Sequence, residues 1–258
     1  MAYEKEMQML ERAEKEVRPV DPISDFVPGG LSVDNAHAIC EGNIQRRLDK
    51  GERIVGYKVG LTNIAAREKM GMPDSFYGYL LDSMMLESGC KLRMEALIEP
   101  KIESEICFKL KKDIQGKGLT IDDVLDATGG VSAAFEICDA RIKGWACRYP
   151  DFFADNGLAC RVALSGTWHP AKDVDLRNEK VALSRNGEKI AEGKGELCMG
   201  HPAKAVAWLA GRLADRGKGL KAGQIVMTGT LTPITPMVKG VIYLSQFSTL
   251  GSVKITTV

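Results

Sequence analysis

Three features of this 258-residue chain predict an α+β fold, strand-rich and mixed, behind an N-terminal helical segment. Helical periodicity dominates the first fifty or so residues. From about residue 53 the pattern turns to β-branched runs punctuated by turn residues. Few helices interrupt those runs, which argues against a doubly wound parallel sheet.

The elements follow in order. Met7, Leu10, Ala13 and Val17 recur at helical spacing, and Pro19 and Pro22 close that segment. Pro28, Gly29 and Gly30 mark a loop, after which Ser32 can cap a helix running through Ile39, Ile44 and Leu48 to Gly51. Strands are expected over 53–61, 96–110 and 131–138. Thr120 and Asp123 have capping-box spacing for a short helix. Asn186-Gly187 suits a type I′ turn, so 181–190 reads as a hairpin. Residues 201–217 form the strongest helix of the second half, with Pro202 in its first turn and Gly217 at its end. Strands over 224–230, 241–247 and 252–258 close the chain. The simplest partition is a helical segment, 1–52, on a β-rich domain, 53–258, as one structural unit.

Composition narrows the function classes. The chain is 45% hydrophobic and 27% charged, with net charge +1. That balance gives no electrostatic case for nucleic acid or an anionic membrane. No apolar run approaches the ~18 residues of a membrane span. The seven cysteines include no CxxC pair and no zinc spacing, so reduced thiols in a cytoplasmic protein are expected. Gly193-Lys194-Gly195 lacks the spacing of a nucleotide-binding loop.

The chemistry concentrates in acidic residues. In Lys101-Ile102-Glu103-Ser104-Glu105-Ile106-Cys107-Phe108, the two glutamates stand two apart. On a strand they share a face, their Cβ atoms ~6–7 Å apart, while Ile102, Ile106 and Phe108 face a core. Two such carboxylates repel unless a cation, a proton or solvent intervenes. A hard divalent ion relieves this, and a solvated sheet face does so equally. Glu136 lies between apolar neighbours on the expected strand 131–138, where an unpaired carboxylate is costly. A metal or a buried pair with Arg141 would explain it. Lys58 lies in an apolar, Gly-rich strand, as a desolvated acid or base or as a lysine that snorkels outward. Asp82 could orient it or serve a turn. Asp155-Asn156-Gly157 reads as a turn or as a polar loop at a site, and His201 as a cap or an anion-site residue.

Taken together, the segments Gly56-Tyr57-Lys58-Val59-Gly60-Leu61-Thr62, Pro100-Lys101-Ile102-Glu103-Ser104-Glu105-Ile106, Glu136-Ile137-Cys138-Asp139-Ala140-Arg141, Asp155-Asn156, Gly200-His201-Pro202 and Gly229-Thr230-Leu231-Thr232-Pro233 resemble the 2-keto-4-pentenoate hydratase family. That family lies within the fumarylacetoacetate hydrolase-like superfamily and includes 4-oxalocrotonate decarboxylase. The resemblance runs from about residue 32 to the C-terminus. It implies the superfamily's mixed β-sheet fold and a lyase of aromatic meta-cleavage catabolism. It implies Glu103, Glu105 and Glu136 as ligands of Mg²⁺ or Mn²⁺, and Lys58 and Asp82 as the proton-handling pair. Leu61, Thr62, Asp155, Asn156 and His201 are expected along the substrate.

The implied reaction is hydration of a 2-hydroxydienoate to a 4-hydroxy-2-oxo acid. The alternatives are decarboxylation of a 2-oxo-3-enedioate and a non-catalytic subunit of such a complex. A homo-oligomer is implied, with a partner enzyme of the same pathway also open. The match departs at Gly240-Val241, where relatives carry Gly-Asp. The loop 229–236 holds no arginine for a distal carboxylate, which favours a monoacid.

Overall fold

Two helices open the chain. α1 (Glu4–Glu16) buries Met7, Leu10 and Ala13 along one stripe. α2 (Val33–Asp49) begins at Ser32, whose hydroxyl accepts from Asn35 N at 3.1 Å. The two pack closely. A side chain at Gly42 would collide with the Met7 thioether, and Arg46 bridges back to Glu4 (2.5 Å) and Glu11 (3.1 Å). The structure, a computed structural model, describes residues 3–258.

Strands then alternate with short helices. β1 (Ile54–Gly60), α3 (Ile64–Lys69), β2 (Phe76–Leu81), β3 (Met85–Glu87) and β4 (Lys91–Leu92) precede the long β5 (Lys101–Leu110). α4 (Ile121–Ala127) leads into β6 (Thr128–Cys138), and α5 (Tyr149–Ala154) into β7 (Ala159–Leu164). β8 (Lys180–Arg185) and β9 (Glu188–Lys194) precede α6 (Pro202–Ala214). β10 (Ile225–Met227), β11 (Thr235–Pro236), β12 (Ile242–Phe247) and β13 (Ser252–Thr257) complete the chain.

One sheet of eight strands runs β2-β1-β10-β5-β6-β7-β3, with β11 beside β5. β1–β10 and β3–β7 are parallel, whereas β5–β6 and β6–β7 are antiparallel, so the sheet is mixed as expected. A second sheet of five strands runs β4-β13-β12-β8-β9. The Ser104 and Ser245 hydroxyls, 2.5 Å apart and buried, link the two sheets. Buried side chains of α1 and α2 join the same apolar core as both sheets.

Local chemistry explains most of the agreement with the sequence. Thr120 and Asp123 form the capping box. Asn186 (φ 51°) and Gly187 (φ 85°) both adopt the left-handed backbone that a type I′ turn needs. The strand expected from residue 96 starts only at Lys101, because 94–96 form a 3₁₀ turn and Pro100 precedes the ladder. β2 and β7 carry no clean alternation. β2 is buried at every residue, so period-two patterning cannot reveal it.

Candidate metal centre

Register converts three separate glutamates into one cluster. β5 and β6 pair with Glu103 directly opposite Glu136, and Glu105 opposite Ala134. Opposed residues of an antiparallel pair share a face, so all three carboxylates project from the same side. β1 reaches that side through β10: Lys58 pairs with Met227, which pairs with Cys107, two residues beyond Glu105. Lys58 therefore points into the acidic cluster from two strands away.

The cluster is buried. Glu105 and Glu136 are 0% exposed and Lys58 is 2% exposed, which removes both the solvated-face and the snorkelling readings. Lys58 Nζ lies 3.1 Å from Glu136 Oε1, donates to the Gly157 carbonyl at 2.9 Å and sits 5.1 Å from the Phe76 ring centre. Glu136 thus takes its cation from Lys58. Arg141 pairs with Asp155 instead, at 2.5 Å. Among the described residues, ligand atoms of Glu103, Glu136 and Cys138 lie within 4.8 Å of one another. Glu105 stands slightly apart, its Oε2 accepting from Gly229 N at 2.8 Å. The tight triad therefore gains Cys138, a thiol whose alternation with Glu136 was visible in the sequence, and leaves Glu105 at its edge.

The electrostatics are those of a cation site. Burial, reinforced by Glu136, raises the Glu103 carboxyl from the ordinary 4.5 to about 7. Burial, with Glu136 and Glu103, raises Glu105 well above its ordinary value. Burial alone would lower the Lys58 ammonium, but neighbouring Cys138 and the carboxylates of Glu136, Glu103 and Glu105 outweigh it and hold the ammonium above its usual range. Glu105 Oε1 and both Glu136 oxygens are buried and make no hydrogen bond, although the Lys58 ammonium stands 3.1 Å from Glu136 Oε1. Glu105 Oε1 and Glu136 Oε2 thus have no partner, and buried carboxyl oxygens of this kind fit a hard divalent ion, which takes oxygen ligands and completes its shell with water or substrate.

The other expected site residues divide. Thr62 is buried beside Gly229; a Cβ at Gly229 would fall 1.9 Å from Thr62 Oγ1. Thr62 thus adjoins the peptide that holds Glu105. Leu61 adopts φ 57°, and its carbonyl accepts from Ser75 Oγ at 3.0 Å. Asp155 and Asn156 are committed to internal bonds. Asn156 grips both backbone polar groups of Tyr79, at 2.7 and 3.0 Å, and Asp155 is clamped by Arg141. Their contribution to the cluster is indirect: they deliver the Gly157 carbonyl to Lys58. Gly78 allows this approach, since a Cβ there would strike the Asn156 carbonyl oxygen at 2.1 Å. His201 caps α6, its Nδ1 accepting from Ala203 N at 3.1 Å.

Asp82 requires correction. It lies just past β2, whose Leu81 pairs with Ile54, four residues before Lys58. That offset is roughly 13 Å of strand. Asp82 binds Arg53 at 3.0 Å on the surface and accepts from Arg53 N and Ser83 N, both at 3.1 Å. It is a turn residue and does not meet Lys58. A cleft of about 300 Å³, lined in part by His37, Tyr77, Phe153 and Trp208, is also separate. Gly78 pairs with Lys58, so Tyr77 points to the opposite face of the sheet.

These shifts set a pH dependence. A carboxyl whose folded pKa is raised stabilises the fold below its unfolded value and loses that contribution as pH rises through the folded value. In chelator, the melting temperature should therefore fall between pH 4.5 and about 7, with Glu103 accounting for ~3 kcal/mol. Glu103→Gln should flatten the slope, and a divalent ion should restore stability at pH 8. A chelated melting temperature that climbs across this window would contradict the assignment.

Residues 55–253 match the fumarylacetoacetate (FAA) hydrolase C-terminal family, and the chain belongs to it. It is 38% identical over 237 residues to the 2-hydroxyhexa-2,4-dienoate hydratase of Comamonas testosteroni, covering 90% of this chain and 89% of that one. To the 4-oxalocrotonate decarboxylase of Pseudomonas sp. strain CF600 it is 34% identical over 232 residues, 90% of this chain and 87% of the relative. The solved 4-oxalocrotonate decarboxylase of Pseudomonas putida G7, complexed with magnesium and adipate, superposes with a TM-score of 0.94 at 31% identity, covering 100% of this chain and 99% of that one. No helix among the described residues is long and apolar enough to cross a membrane.

Proposed function

We propose that this chain is a divalent-metal-dependent lyase acting on a small 2-oxo or 2-hydroxydienoic acid, principally as a hydratase. The observation that carries the reading is the set Glu103, Glu105 and Glu136 on one face, the last two fully buried, with the buried Lys58 turned into it. The three glutamates would hold Mg²⁺ or Mn²⁺. When bound, such an ion supplies Lewis-acid stabilisation of charge on a substrate oxygen.

The chain's own groups handle protons. A 2-hydroxydienoate gains a proton at the far end of its conjugated chain and loses one from its enol oxygen, becoming a 2-oxo-3-enoate. Water then adds across the remaining double bond, oxygen at C4 and hydrogen at C3, giving the 4-hydroxy-2-oxo acid. Lys58 is the ammonium suited to hold or deliver the proton, because the acidic residues around it keep it charged and Gly157 fixes its direction. Burial excludes bulk water from the competing proton transfers.

Decarboxylation of 4-oxalocrotonate is the second reading, supported by the likeness to the Pseudomonas putida G7 decarboxylase over the whole chain. It passes through the same dienol, so the acidic cluster serves either reaction.

The test is a side-by-side assay of the purified chain with 2-hydroxypenta-2,4-dienoate and 4-oxalocrotonate. Loss of dienol absorbance without gas indicates the hydratase; carbon dioxide release from 4-oxalocrotonate indicates the decarboxylase. Stripping with EDTA should reduce turnover at least about 10³-fold, with recovery on Mg²⁺ or Mn²⁺. Full activity in the stripped protein would overturn the reading.

A further inference from the structure

We propose that the cleft on the far side of the large sheet from the metal centre is a second binding site, and that it takes a small planar organic acid: one carboxylate on an aromatic ring. The proposal is independent of the reaction assigned above.

The cleft, about 300 Å³, lies where α2, the start of β2, α5 and α6 meet. That volume is at the lower end of small-molecule pockets. β2 separates it from the acidic cluster. Gly78 pairs with Lys58 and Phe76 with Gly60, so Tyr77, between them, turns away from the cluster and lines the cleft.

The walls are aromatic and already bonded. Tyr149 donates its hydroxyl to the Ser75 carbonyl at 2.9 Å, and Trp208 donates Nε1 to Asp74 at 3.2 Å. Arg212 sits over the Trp208 ring, 5.6 Å from its centre, and donates to the second Asp74 oxygen at 2.5 Å. Held in this way, the rings offer flat apolar surface to a ligand.

Two polar groups are left over. The Tyr77 hydroxyl is buried with no hydrogen-bond partner, and the residue is only 3% exposed. His37 is 6% exposed, its ring centre 5.1 Å from that of Tyr77 and 4.7 Å from that of Phe153. Its imidazole makes no hydrogen bond among the described residues. A buried hydroxyl without a partner is destabilising, and beside an open cleft it fits a ligand atom that completes it. Burial, deepened by nearby Arg216, lowers the His37 imidazole to about 4, so at pH 7 it is uncharged.

Arg216 supplies the charge. Of its five N–H donors, Nε reaches Glu41 at 3.3 Å and Nη1 reaches Asp34 at 3.5 Å. Both contacts are long. Glu41 has a closer cation in Lys218, at 2.8 Å, and the Asp34 side chain is 91% exposed. An incoming carboxylate can therefore displace Asp34 from Arg216. The other acids of the cleft are taken, Asp74 by Arg212 and Asp215 by Lys117. A monoanion with a flat ring matches this set: charge to Arg216, an acceptor oxygen to Tyr77, and the ring to Phe153 and Trp208.

Calorimetric titration of the magnesium-loaded protein with benzoate, cyclohexanecarboxylate and benzyl alcohol tests the site. Benzoate should bind at least about fivefold more tightly than the other two, which lack the flat ring or the charge. Tyr77→Phe and Arg216→Gln should each weaken benzoate about tenfold. EDTA treatment should leave its affinity within about twofold, because the cleft shares no group with the metal centre. Tyr77→Phe should also leave the melting temperature of the unliganded protein unchanged or higher, since it removes an unpaired buried hydroxyl; a hydroxyl with a structural partner would lower it. Benzoate should quench tryptophan fluorescence in the native protein and not in Trp208→Phe. Benzoate binding that disappears on chelation would place the carboxylate at the metal centre and overturn the site. So would equal affinity for the three probes, affinity unchanged in both variants, or no binding at millimolar benzoate.

Discussion

Lys58→Met should lower kcat by about 10²–10⁴-fold while the protein stays folded and its affinity for a divalent ion is undiminished. Methionine fills a similar volume without charge, so the apolar contact with Phe76 survives. The variant leaves Glu136 without its ammonium, 3.1 Å away in the native site. A cluster with one less positive charge attracts a metal ion at least as strongly. If Lys58 were only a counter-ion holding the acids together, loading the variant with metal would restore activity, since the ion takes over that duty. If it handles protons, no metal concentration does so. Titrating kcat against Mg²⁺ in both proteins checks this: recovery to within tenfold of native turnover at saturation would remove Lys58 from the chemistry.

Arg141→Met should destabilise the fold by about 3–5 kcal/mol, the usual consequence of leaving one half of a buried ion pair unmatched. Arg141 is almost fully buried and spends its guanidinium on Asp155 (2.5 Å), the Asp139 carbonyl (2.7 Å), the Ala159 carbonyl (3.0 Å) and the Asp155 carbonyl (2.6 Å). The native Asp155 carboxyl is already pushed up to about 6 by burial, against the opposing pull of Arg141. Without the arginine it would take up a proton. The loss reaches the site because the same loop carries Gly157, the acceptor for Lys58. Denaturant unfolding at pH 7 gives the stability change. A shift under 1 kcal/mol would show that the clamp is dispensable. Asp155→Asn with Arg141→Met should recover part of the loss, since the double change removes both charges.

The sequence displays some of this site and hides the rest, for identifiable reasons. Glu103 and Glu105 share a face by strand periodicity alone. Glu136 across from Glu103 depends on a pairing register set by side chains throughout β5 and β6, which local spacing does not encode. Lys58 looks the same in a buried and in a snorkelling strand; only the packing of β1 between β2 and β10 decides. Asp155 and Asn156 read as polar groups beside a substrate because their hydrogen-bond partners, Arg141 and Tyr79, are distant along the chain or hidden in a featureless strand. Asp82 misleads for the opposite reason: its neighbours in order, Tyr79 to Leu81, are core, yet the chain turns outward at once. Cys138 follows Glu136 at two-residue spacing, a pattern available in the sequence once the face is known.

The pairing of Glu103 with Glu136 also governs how this chain can change in length. Residues 111–127, which link the two strands, can grow or shrink without disturbing which acids meet. A single codon gained or lost between Glu103 and Leu110, or between Thr128 and Glu136, would rotate a glutamate out of the site or turn its core neighbours inside out. Homologous proteins that keep this chemistry should therefore differ by gaps in the connection and by substitutions alone within the ladder.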